Sequence, residues 1–410
     1  MVRENQPTSA TASIGTNLER HFTTHLPTIM KIGFLTPEFP HPEMGASGGI
    51  GTSIYNLAKG LVEMGHDVSV IIYGQKADEI VIKDNITFYK VKNIKLKGFS
   101  RWLTQKKIQR LLNSLVKTGK LDLVEAPDWT GITARIKPNC PVVIRLNGSD
   151  TYFCHLDQRP VKFLNRIQEQ LALRNADGLL SVSRYTAEVT QQLFGLKRSF
   201  DIIPNSIDLD KFVPNKDVVS QPNTILYFGT LIRKKGLLEL PLIFNKVVAQ
   251  HPEAKLVLIG RDASDVISGN TSTWAMMQPL FTAEAKANVT YLGSVPYAEM
   301  AQHIHEATVC VFPTFAEALP VSWIEAMAMQ KAIVASAIGW AEEVIDDTEN
   351  GFLVQPTAHQ KYADRIVQLL QDADLREVFG ANARNKVMQK FSIAVVAQQS
   401  VAFYQKLLKR

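Results

Sequence analysis

Short apolar runs alternating with helical periodicity constrain this chain more than any other feature, and the pattern occurs twice. Such alternation marks β-α units, which assemble a mostly parallel sheet covered by helices. In the first series, strands are expected at Lys31–Leu35, Val68–Tyr73, Leu121–Glu125, Val142–Arg145 and Gly178–Val182. A helix is expected over Ile50–Met64, with Ile50, Ile54, Leu57, Leu61 and Val62 on one face and Gly65 ending it. The series pauses near Pro204-Asn205-Ser206-Ile207-Asp208, and a polar, proline-bounded connector runs from Pro214 to Pro222. It restarts with strands expected at Thr224–Gly229, Leu256–Gly260, Val289–Gly293, Val309–Pro313 and Ala332–Ser336. Helices are expected between them at Leu237–Ala249, Tyr297–Glu306 and Ser322–Met329. The economical architecture is α/β: two Rossmann-like halves, residues 30–214 and 215–392, with the substrate cleft between them.

At 410 residues the chain is too long for one ordinary core, in keeping with two domains. An apolar share of 46% with 20% charged residues excludes a disordered or fibrous chain. No apolar run reaches the ~18–20 residues that cross a bilayer. Residues 1–29 are polar, without the apolar core of a secretory signal or the Arg-rich look of a transit peptide, and read as a disordered tail. The odd, widely spaced set Cys140, Cys154 and Cys310 argues against a disulfide framework or zinc site and for the reducing cytoplasm.

The net charge of +6 is local. Residues 85–121 hold ten Lys and Arg and no acidic residue, so the remainder of the chain sums to −4. Ser100 is expected to cap a helix over Arg101–Lys117, with Leu103, Leu111, Leu112, Leu115 and Val116 broadly on one side. Trp102 and the cations of residues 90–120 could lie on an anionic membrane surface. Equally, the leucines could pack on the first domain and leave the lysines solvated. Interleaved aromatic residues are lacking, so nucleic acid is not the expected partner.

The strongest local signal is Phe312-Pro313-Thr314-Phe315-Ala316-Glu317-Ala318-Leu319-Pro320-Val321-Ser322-Trp323-Ile324-Glu325-Ala326-Met327. It puts Glu317 in the loop at a strand's carboxyl end, where open α/β sheets bind ligands, and Glu325 inside the helix that follows. Pro320 suits a first helical turn. Amides at a helix start suit a diphosphate, and carboxylates suit sugar hydroxyls. Spacing alone leaves open one glutamate complementing the helix dipole and one solvated helix glutamate.

With its neighbours, this run resembles the retaining glycosyltransferases of family 4, whose pattern is a glutamate, seven residues, a second glutamate and Ala-Met. The resemblance extends through Gly339–Ile345, Asn350–Val354, Ile202–Phe212, Tyr227–Gly236 and Met30–Gly65, in the family's order. It implies the GT-B fold, two facing Rossmann-like domains, with residues 393–410 as a helix packing back on the first. It implies that Glu317 holds donor-sugar hydroxyls, Glu325 the ribose diol, and the amides near Ala318 and Leu319 the phosphates. Lys235, before Gly236, would neutralise the leaving diphosphate. Gly49, Gly229 and Gly293 would border the donor, and Gly48 and Asn147 the acceptor or sugar. Base selection would rest on contacts near Gly293.

Two positions depart from the family. Thr230 stands where an arginine usually follows Gly229, and Arg233 is near enough in sequence to take over its charge. Asn147 stands in place of a usual histidine, and an amide can hydrogen-bond a sugar but cannot carry a proton. The implied reaction moves a sugar from a nucleotide-sugar donor to a glycan or lipid-linked acceptor hydroxyl with retention, Glu317, Lys235 and Arg233 serving the chemistry. The rivals are a sugar synthase with a small soluble acceptor, and a sugar-binding protein without chemistry. Neither Asp208-Leu209-Asp210 nor Cys154-His155 has further ligand spacing, so no metal is expected.

Overall fold

The structure, a computed structural model, describes residues 1, 29–44, 47–215 and 220–409. The tail expected over residues 1–29, its two ends apart, lies outside the described residues, as do residues 45–46 of the glycine loop and 216–219 of the connector.

The first sheet comprises β1 (Lys31–Thr36), β2 (Asp67–Gln75), β3 (Glu79–Lys83), β4 (Ile86–Lys92), β5 (Leu123–Pro127), β6 (Val142–Leu146), β7 (Gly178–Ser181) and β8 (Asp201–Ile202). Their order is β3-β4-β2-β1-β5-β6-β7-β8. The second comprises β9 (Thr224–Phe228), β10 (Lys255–Ile259), β11 (Val289–Tyr291), β12 (Val309–Phe312), β13 (Ala332–Ser336) and β14 (Phe352–Val354). Its order, β11-β10-β9-β12-β13-β14, is parallel throughout. Central strands such as β5, β6 and β9 are buried along their whole length, which is why they read as unbroken apolar runs. In each sheet the strand order reverses, between β1 and β5 and between β9 and β12, and the crevice outside these carboxyl ends is where such sheets hold ligands.

One pair departs from the expected pattern: β3 runs antiparallel to β4. Asp84 and Asn85, at φ of 50° and 59°, make the two-residue turn that a tight hairpin requires. Helix Ser100–Lys117 also corrects the expectation in detail. Phe99 occupies its N-cap without a side-chain bond, and the Ser100 hydroxyl instead donates to Leu96 O (2.7 Å) and accepts from Leu96 N (2.8 Å). Its buried face is Thr104, Gln105, Ile108, Leu112 and Leu115, so Leu103, Leu111 and Val116 lie at its margins. Two cations of the basic segment are paired locally, Lys90 with Glu79 at 2.9 Å and Lys107 with Asp78 at 2.6 Å.

The last helix, Ile393–Leu408, lies against the first domain. Val396, Ala397, Val401 and Tyr404 share a core with Ile54, Leu57, Ala58 and Leu61 of helix Gly49–Glu63. Beneath it, Arg145 Nε donates to Glu125 Oε1 at 2.7 Å, Arg145 Nη2 to Ser400 Oγ at 3.2 Å, and Tyr404 OH to Glu125 Oε2 at 2.6 Å. Arg145 Nη1 reaches Ile203 O at 3.1 Å, leaving this buried charge pair well supplied with partners. No helix among the described residues is long and apolar enough to cross a membrane.

Candidate active site

The cleft between the domains encloses about 870 Å³ and takes its walls from both. On the second-domain side, β12 ends at Phe312 and helix Val321–Ala328 begins after a short loop. Pro320 is the N-cap residue rather than the first helical one, and it supplies neither a side-chain cap nor an N–H. Among the described residues, the amides of Ala318 and Leu319 donate to no protein acceptor. The first helical amides have no acceptor one turn earlier, as at any helix start. This edge of the cleft is suited to an anion.

The loop is held from the opposite domain. Tyr152 OH donates to Glu317 O (2.8 Å), Ser183 Oγ and Thr186 Oγ1 to Ala318 O (3.0 and 3.1 Å), and Asn205 Nδ2 to Leu319 O (2.9 Å). Close approach inside the second domain sets the other side. Gly236, at φ 73°, runs so near the chain that a Cβ there would lie 1.7 Å from Pro313 O. The preceding turn delivers Lys235, whose Nζ meets Glu317 Oε1 at 3.0 Å.

Glu317, Lys235, Arg233, Thr230, Ala318, Leu319, Gly48, Gly49 and Asn147 all face the cleft. Gly229, Gly293 and Glu325 are not on its wall. Helix Val321–Ala328 is buried from Trp323 to Ala328, and Glu325 goes inside with it. Its Oε1 accepts from Tyr297 OH at 2.6 Å, and burial pushes its carboxyl up to about 7 despite that bond and nearby Lys235. Arg233 is committed elsewhere: Nε and Nη2 grip both oxygens of Asp265 at 2.9 and 2.7 Å, holding that carboxyl well below the usual range. The charge expected of it at the diphosphate is therefore already paired.

Several groups in or just behind the cleft lie outside the site expected from the sequence. Lys234 Nζ lies 3.6 Å from the centre of the Phe153 ring across the domain boundary, and burial lowers its pKa. Glu38 Oε1 accepts from Gly48 N (3.0 Å) and Gly51 N (2.9 Å), so a carboxylate sits at the start of helix Gly49–Glu63. Beside Asn147, whose N–H it accepts at 2.9 Å, Asp128 is buried with its Oδ2 unpartnered, and burial raises its carboxyl to about 7. Asp208 pairs with Lys59 at 2.8 Å, and among the described residues no group of three or more His, Cys, Asp or Glu could hold a metal ion.

Comparison with known proteins bears on the family and the fold. Residues 47–211 match the family model described as glycosyltransferase family 4, and residues 210–386 match that of glycosyl transferases group 1. An uncharacterized glycosyltransferase of Methanocaldococcus jannaschii is 26% identical over 92% of this chain and 98% of its own length. Phosphatidyl-myo-inositol mannosyltransferase of Mycobacterium tuberculosis is 30% identical over 50% of this chain and 53% of its own. Among solved structures, sucrose-phosphate synthase from Thermosynechococcus elongatus superimposes with a TM-score of 0.77 at 20% identity, covering 93% of this chain and 99% of that one. The last likeness concerns the fold.

Proposed function

This chain is a glycosyltransferase of family 4 with the GT-B fold, and from that premise we propose that it moves a sugar from a nucleotide-sugar donor to an acceptor hydroxyl with retention at the anomeric carbon. The observation that carries this reading is the Glu317–Lys235 pair, 3.0 Å apart, at a cleft edge lined by unpaired backbone amides. A carboxylate there accepts several sugar hydroxyls at once, while the ammonium and amides meet the charge that grows on the departing diphosphate. Departure gives an oxocarbenium-like sugar. The leaving phosphate then takes the acceptor's proton on the same face, so the protein supplies position and charge rather than a covalent nucleophile. Asn147 would hydrogen-bond the sugar without moving a proton. Although Glu325 lies behind the cleft wall and is 5% exposed, it would hold the ribose diol through the oxygen not taken by Tyr297. No metal is assigned to the reaction.

Binding of UDP, GDP and ADP, followed by thermal shift and titration, tests the donor half. One should bind the wild type, and Glu325→Ala should weaken it by about 1.5–3 kcal/mol. An unchanged affinity in the folded variant removes Glu325 from the ribose. Turnover with common nucleotide sugars and acceptor extracts tests chemistry, because its complete absence would leave only a binding protein.

The acceptor we favour is lipid-linked or a growing glycan, used at the cytoplasmic face of a membrane. Support comes from the relative named as a phosphatidyl-myo-inositol mannosyltransferase and from the basic segment. There Lys95, Lys97, Arg110, Lys117 and Lys120 have no ion-pair partner among the described residues, and Trp102 and Phe99 stand 43% and 60% exposed. Each cation adds about 1 kcal/mol on an anionic surface. The protein should co-sediment with phosphatidylglycerol vesicles, and Trp102→Ser with Arg110→Glu should release it. Sedimentation indifferent to vesicle charge and to these changes would favour a small soluble acceptor.

A further inference from the structure

Three of the four cations that the second domain turns toward the cleft are engaged. Arg233 is bound to Asp265, Lys235 to Glu317, and Lys234 lies over the Phe153 ring. Arg261 is the fourth, and among the described residues its guanidinium has no partner. The carboxylates of its loop have partners of their own: Asp262 accepts from Ser272 Oγ (2.6 Å) and Trp274 N (3.0 Å), and Asp265 from Ser268 Oγ and Arg233.

Register places this arginine. Ile259 pairs with Phe228 at the ends of β10 and β9, and the parallel ladder continues through Gly229 N to Ile259 O and Leu231 N to Arg261 O, both 2.9 Å. The next bridge joins Leu231 to Asp262. Arg261 is therefore the cross-strand neighbour of Thr230, and paired residues of parallel strands send their side chains to the same side. The strands meet closely here, because Gly260 at φ 145° leaves no room for a Cβ, which would lie 1.9 Å from Gly229 O. Lys235 Nζ is 3.3 Å from where a Cβ on Gly229 would stand, so its ammonium lies at the same strand end.

We infer that Arg261 is a diphosphate-binding residue of this enzyme: it brings a positive charge to the cleft beside Thr230 from the adjacent strand. A planar guanidinium with free donors suits two neighbouring phosphate oxygens, and it complements Lys235 on the leaving group. The inference rests on the nucleotide-sugar reading above and identifies one of its anion contacts.

The experiment measures binding of UDP, GDP and ADP, with the corresponding monophosphates, to the full-length protein and two variants. Arg261→Gln should weaken the preferred diphosphate by about tenfold or more while changing the monophosphate several-fold less. Adding Thr230→Arg to Arg261→Gln should restore diphosphate affinity to within about threefold of wild type. Unchanged diphosphate binding in Arg261→Gln overturns the inference and leaves the donor reading standing. So does an equal loss for mono- and diphosphate, or a failure of Thr230→Arg to restore. If the wild type binds none of the three diphosphates, the donor reading fails and takes the inference with it.

Discussion

Lys235→Ala should lower kcat by about 10²–10³-fold while the protein stays folded. The ammonium stands near the carboxyl end of β9 and meets Glu317 at 3.0 Å, so it faces both that carboxylate and the amides of the cleft edge. Its work grows during reaction, because the diphosphate gains charge as the glycosidic bond stretches, and such interactions raise kcat rather than merely lower KM. Removing it also leaves Glu317, mostly shielded from water, without its cation and opposed to the donor's own negative charge. Lys235→Arg should recover part of the loss, since it keeps the charge but not the reach. Steady-state kinetics with the preferred donor decide the matter. A kcat within about threefold of wild type, or a loss confined to KM, would remove Lys235 from the chemistry.

Arg145→Ala should destabilise the first domain by about 3–5 kcal/mol, the largest single effect expected away from the cleft. Glu125 is 3% exposed, and without the guanidinium it would be a buried carboxylate left with Tyr404 alone. The cause is the stranded charge, not the worth of the bridge. Arg145→Met with Glu125→Leu should therefore recover most of the loss, because an apolar pair of similar size removes both charges together. Urea unfolding compares the two. Equal midpoints for the single and double variants would show that the network acts through shape and not charge.

Much of the fold is legible in the sequence because buried parallel strands carry their burial on both faces. Thr224–Phe228, Val142–Leu146 and Ala332–Ser336 stand within a residue or so of where their apolar runs put them. The hairpin β3–β4 is less visible because its outer strand packs little: Ile80 and Ile82 are exposed, and only the Asp84-Asn85 turn marks it. The glutamate pair is legible as a pattern, but its division is not. Spacing puts Glu325 inside a helix, yet only the packing around Trp323 and Met327 shows how deeply that helix is buried. Arg233 and Arg261 make the same point in reverse. Proximity along the chain to Thr230 favours Arg233, whereas strand register brings Arg261 alongside and Asp265 draws Arg233 off. A one-dimensional distance does not report which neighbour a sheet will supply.

The four first-domain side chains that hold the carbonyls of Glu317, Ala318 and Leu319 have a consequence for how the halves depend on each other. A peptide unit is planar and trans, so pinning its oxygen dictates the heading of the N–H on its other side. Tyr152 thereby orients the amide of Ala318, and Ser183 with Thr186 orients that of Leu319, from residues well over a hundred positions earlier in the chain. The second domain does not by itself set the heading of these amides. It takes that bearing from the first domain, and an isolated second domain would keep Glu317, Lys235 and Arg261 while losing the heading of two of its amides.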